Sequence, residues 1–124
     1  MFYINDDLSI YATRGDTVFF SVTADSNGES HKFTAGDIIR FKVSEKKDCE
    51  SVVLLKEFPV TEQTERVSIV LESHETKLGD VISKPKDYWY EVEYEHDGII
   101  QTIIGYDEDG AKVFKLFPEG KEEV

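Results

Sequence analysis

The stretch Tyr88-Trp89-Tyr90-Glu91-Val92-Glu93-Tyr94-Glu95 decides the fold. Its side chains alternate in character, and a period of two marks a strand with two unlike faces, because successive residues of a strand point to opposite sides of a sheet. Tyr88, Tyr90, Val92 and Tyr94 share one face, which suits a core. Trp89, Glu91, Glu93 and Glu95 share the other. An indole among glutamates has two readings. It packs under a neighbouring loop, or on a central strand covered on both sides, or it anchors a partner, since aromatic side chains dominate interface energetics. The second reading makes Trp89, Glu91 and Glu93 the candidate interface.

The same period runs outward in both directions. His96-Asp97-Gly98 is a turn, and Ile99 to Ile104 returns along the chain. Asp107-Glu108-Asp109-Gly110 is a further turn, followed by Ala111 to Phe117 and Pro118. Upstream, Arg66 to Glu72 sets Val67, Ile69 and Leu71 on one face, and Ile38 to Ser44 does so with Ile39, Phe41 and Val43. Thr17 to Ala24 sets Val18, Phe20 and Val22 together and ends at an Asn-Gly turn, Asn27-Gly28, whose residues tolerate positive φ. Ser51 to Phe58 is more uniformly apolar, and Pro59 marks a strand end or a sheet edge. Leu8 to Ala12 opens the series. Only Ser73 to Gly79 reads as a helical turn, with Ser73 as N-cap. About seven or eight short strands with frequent turns predict an all-β, antiparallel, immunoglobulin-like sandwich. No linker, repeat or low-complexity run divides the sequence, so residues 1–124 read as a single domain.

The chain has 124 residues, 40% of them hydrophobic and 32% charged. A chain of this length buries about two thirds of its unfolded surface and folds without staples. Cys49, the single cysteine, excludes an internal disulfide. The N-terminus shows no signal peptide, and no apolar run is long enough to span a membrane as a helix. The net charge of −12 repels phosphate backbones, so neither nucleic acid nor membrane is expected as a partner. The bland reading of this charge is solubility. The sharper one is a surface for a basic partner or a divalent cation.

No motif carries chemistry. Arg14-Gly15-Asp16 spells an integrin-recognition tripeptide, but Gly15-Asp16 is better read as a turn before a strand. A calcium loop placed on Gly110 takes Asp107 and Asp109 as ligands but fails at Gly105 and Leu116. Placed on Gly28, it takes Asp25 and Asn27 but fails at Thr23 and Thr34. His31, His74 and His96 have no metal-site spacing. A nucleophile elbow is absent, and Cys49 lies between Asp48 and Glu50, whose charge disfavours a thiolate. These absences predict no enzyme, no catalytic residue, no cofactor and no bound metal.

A resemblance rests on short motifs spread over most of the chain. Gly15-Asp16-Thr17 precedes one alternating strand, and the Asn-Gly turn and Gly36-Asp37 precede the next. Leu71 to Thr76, a loop and Tyr88-Trp89-Tyr90-Glu91-Val92 follow. In these the chain resembles the N-terminal immunoglobulin-like domain of phage baseplate upper proteins and small prophage-encoded relatives from Firmicutes. The resemblance implies a virion structural protein that contacts other phage structural proteins, with homo-oligomers among its assemblies. It would reside in the virion, or in the bacterial cytoplasm before assembly. Family members carry further segments after this domain, whereas the sequence stops at Val124, so the resemblance implies attachment more than bridging. It brings no catalytic residues. The competing expectation is a carbohydrate-binding sandwich that stacks sugars on Trp89 and nearby tyrosines.

Overall fold

The structure, a computed structural model, describes residues 2–26, 28–47, 50–105 and 110–119. Its strands are β1 (Phe2–Ile4), β2 (Ile10–Thr13), β3 (Val18–Val22), β4 (Asp25–Ser26), β5 (Glu29–Ser30), β6 (Ile38–Ser44), β7 (Val52–Pro59), β8 (Val67–Leu71), β9 (Lys86–His96), β10 (Ile99–Ile104) and β11 (Lys112–Phe117). One 3-10 turn, Ser73–Thr76, interrupts them. The chain is mostly strand, and the arrangement is a sandwich-like all-β fold.

The larger layer runs β1-β2-β11-β9-β6-β7, with β10 paired to β9. The 11-residue β9 organises it. β6 pairs along one side, from Ile38 opposite Glu95 to Ser44 opposite Trp89. The other side is shared, since β11 pairs with the first half of β9 and β10 with the second. The opposing layer is the β3-β8 pair, and β4 and β5 form a separate short hairpin.

Alternation places the core where the sequence puts it. Tyr88, Tyr90, Val92 and Tyr94 of β9 are buried beside Ile39, Phe41 and Val43 of β6 and Phe114 and Leu116 of β11. Val18, Val22, Val67, Ile69 and Leu71 close over them from the β3-β8 pair. Phe41 stacks on Tyr90 with centroids 5.3 Å apart and meets Phe114 edge-on at 6.1 Å. Phe20 departs from expectation. It is only partly buried, leaning on the core edge-on to Phe41 and stacking with Phe2 at 6.4 Å. It borders a layer of only two strands, too narrow to enclose it.

Polar ties fix the layer ends. The hydroxyl of Tyr88, the third residue of β9, donates to the Leu78 carbonyl at 3.4 Å and ties the strand to the segment ahead of it. Arg14 is buried, and its guanidinium donates to the carbonyls of Leu78 (3.3 Å) and Gly79 (2.8 Å) and pairs with Glu119 at 3.0 Å. It is a structural cation, and Gly15 turns the chain at φ 91°, so the Arg14-Gly15-Asp16 tripeptide is a turn. Lys56 of β7 points inward and reaches the Val70 carbonyl of β8 and Glu75, both at 2.7 Å, bridging the two layers.

Several expectations need correction. The described residues form eleven strands, because β1 and the β4-β5 hairpin escaped notice. The sandwich is not wholly antiparallel, since β11 pairs with β2 in parallel from Phe114 opposite Ile10 to Phe117 opposite Thr13. The first long strand starts at Ile10, because Leu8 sits at φ 73° in the turn before it. The helical turn is capped by Glu72, not Ser73, and closes at Thr76. Pro59 ends the edge strand β7, as a residue without an N–H does. The Asn27 half of the Asn-Gly turn, Asp48-Cys49, the Asp107-to-Asp109 turn and the 121–124 tail lie outside the described residues.

Candidate functional site

The outward face of the large sheet carries the residues nominated from sequence. Trp89 is partly covered. In register it stands between Val113 of β11 and Ser44 of β6. It shares a shallow hollow with Asp7, Ser9, Lys47, Ala111, Lys112 and Val113. The indole therefore sits within a mixed polar and apolar surface, not alone among glutamates. Ser44 beside it is fully buried, and its hydroxyl has no hydrogen-bond partner among the described residues. Further along this face, Tyr11 meets Phe117 edge-on at 5.6 Å, with the Lys115 ammonium 5.6 Å from the Tyr11 ring centre.

Glu91 and Glu93 are brought onto the same face as Trp89 but are engaged with β6. The Lys42 ammonium lies 3.2 Å from Glu93 and 3.8 Å from Glu91. Arg40 pairs with Glu57 and Glu95, each at 2.7 Å. These cross-strand pairs alternate sign across β7, β6 and β9, which suits neighbouring strands. They leave the acidic half of the face less charged than the sequence implies.

A second cluster, which sequence reasoning missed, lies where β6 begins and β9 ends. Asp37 is buried, and its carboxylate accepts from the Thr34 N–H (2.9 Å), the Tyr94 hydroxyl (2.9 Å) and His96 Nδ1 (2.6 Å). Burial pushes its pKa up, but the donors from Thr34, His96 and Tyr94 outweigh burial and hold it below the usual carboxylate range. His96 is raised, first by its bond to Asp37 and then by the charge of Asp97, whose carboxylate is 3.3 Å from Nε2. Tyr94 is pushed up to about 12 by burial and by its bond to Asp37. Because Tyr94 gives its proton to an ionised carboxylate, its oxygen accepts from His31 Nε2 at 2.8 Å, which fixes the His31 tautomer as Nε2–H. The ring of Phe33, fully buried, packs edge-on to both His31 and Tyr94. Thr34, Tyr94 and His96 all donate to the Asp37 carboxylate, and His31 joins them through the Tyr94 oxygen, so the cluster's polar groups are engaged with one another. It is built to hold the segment between His31 and Asp37 against β9. The one signal for it in sequence was Tyr94-x-His96, two polar-tipped side chains on the core face.

Among the described residues no group of three or more His, Cys, Asp or Glu side chains could hold a metal ion, and no helix is long and apolar enough to cross a membrane. No family model, curated protein or solved structure gives a significant match to the chain.

Proposed function

We propose that this chain is a non-catalytic structural module, of phage or prophage type, that works through protein–protein contacts on the outward face around Trp89. The observation that carries this reading is the half-covered indole at the rim of a hollow, flanked by Val113 and by charged side chains of both signs. An aromatic anchor ringed by polar groups is the composition of an interface centre. The phage assignment rests on the sequence resemblance alone, and with it the expectation of a virion location.

The test is co-expression with the proteins encoded on either side of its gene, followed by purification through a tag on this chain. The expected result is a stoichiometric complex with a tail or baseplate component, lost on Trp89→Ala while the variant stays folded. Absence of any complex, or a complex indifferent to Trp89→Ala, contradicts the reading. Binding to a glycan array in place of a protein would transfer the face to sugar recognition.

A further inference from the structure

The two layers part along one side of the sandwich, where β7 and β8 are edge strands of different sheets. Between the end of β7 and the start of β8 lies an open groove of about 370 Å³, within the roughly 300–1,000 Å³ of small-ligand sites. Backbone bonds hold its walls. The Val60 N–H donates to the Asp37 carbonyl at 2.8 Å, and the Gly36 N–H to the Val60 carbonyl at 3.0 Å. Phe33 and Thr64 exchange N–H to carbonyl bonds of 2.8 and 3.0 Å. The groove is therefore preformed, which spares a ligand the cost of ordering it. It is also short. Lys56 spans the gap between the layers to the Val70 carbonyl at 2.7 Å, and Pro59 offers no N–H, so an added peptide strand finds no continuous edge here.

The lining combines three kinds of group. Phe58, Pro59 and Val67 supply apolar surface, and Thr61 and Ser68 supply hydroxyls. Arg66 and Glu62 stand on the same groove without closing on each other. Among the described residues neither side chain has an ion pair or a hydrogen bond, although Arg14 and Arg40 are both paired with carboxylates. We infer that this groove binds a neutral sugar residue. The charges select the class of ligand. Glu57 and Glu62 oppose an anion and Arg66 opposes a cation, so neither sign of ligand is favoured. A pyranose ring carries hydroxyls that donate to a carboxylate and accept from a guanidinium, and it has a C–H face for an apolar wall. Arg66 and Glu62 hold neighbouring hydroxyls, and Phe58 takes the C–H face. The groove shares no lining residue with the hollow at Trp89, and the inference does not rest on the function proposed for that face.

The test is an NMR titration of backbone amide shifts with the methyl glycosides of glucose, galactose, mannose and N-acetylglucosamine. At least one of them should move the amides between Phe58 and Ser68 to saturation. Glucuronate and glucosamine, the charged relatives, should bind more weakly than methyl glucoside. Arg66 and Glu62 are exposed, so Arg66→Ala and Glu62→Ala should keep the wild-type circular dichroism. Each should weaken binding about tenfold, the loss of a hydrogen bond to a charged group. Trp89→Ala should bind the sugar as the wild type does. The inference is overturned if none of the four glycosides shifts these amides. It is also overturned if the shifts centre on Trp89 or vanish in Trp89→Ala, if the Arg66 and Glu62 variants bind normally, or if a charged sugar binds more tightly than the neutral one.

Discussion

His96 Nδ1 lies 2.6 Å from the Asp37 carboxylate, which joins the end of β9 to the start of β6 at a point where one partner is buried and the other half exposed. The sheet register puts Ile38 opposite Glu95, so the two residues are held next to each other by backbone pairing before their side chains meet. Tyr94 and Thr34 complete the shell around the same carboxylate.

That pair gives stability a two-sided dependence on pH. His96 is raised in the fold, so its contribution is complete below its ordinary value of 6.5 and fades as pH climbs through the raised value. Asp37 is lowered, so its contribution is complete above its ordinary value of 3.8 and fades as pH falls through the lowered value. Thermal unfolding midpoints should therefore peak between those limits. His96→Ala should flatten the alkaline limb relative to wild type. Parallel wild-type and variant curves above neutral pH would show that the pair does not stabilise the fold.

Phe41 is fully buried at the centre of the aromatic core, between Tyr90, Phe114 and Phe20. Phe41→Ala should cost about 3–5 kcal/mol in urea unfolding. A loss below about 1 kcal/mol would mean that the inward face of β6 has been misassigned.

Ser44 offers the opposite case. Its hydroxyl is buried without a hydrogen-bond partner among the described residues, and such a group is a cost that the fold carries. Ser44→Ala should leave stability unchanged or raise it by up to about 1 kcal/mol. A clear destabilisation in the same urea assay would reveal a bond that the hydroxyl makes in solution.

Alternation made much of this legible. Ile38 to Ser44 matches β6 end to end, and Val67, Ile69 and Leu71 lie buried as their spacing requires. Those faces are set by local period two, which a sequence displays directly. What escaped depends on partners far along the chain. Nothing near Ile10 announces that it will lie parallel to Phe114, and nothing near Asp37 announces Tyr94 and His96. The face of Trp89 was readable, but its surroundings were not, because the loop with Asp7 and Ser9 and the one with Lys47 line the same hollow from distant parts of the chain. The same distance in sequence hid the Lys42 pairs that partly neutralise Glu91 and Glu93.

The central claim is that Trp89 serves recognition more than folding, and comparing Trp89→Ala with Tyr90→Ala in urea, followed by far-ultraviolet circular dichroism, tests it most directly. The two residues are neighbours on β9 with opposite faces, one half-covered and the other buried against Phe41 and Phe114. Tyr90→Ala should cost about 3–5 kcal/mol, the range for a core aromatic, and Trp89→Ala no more than about 1–2 kcal/mol. If Trp89→Ala costs as much as Tyr90→Ala, the indole is a core residue and the recognition role fails.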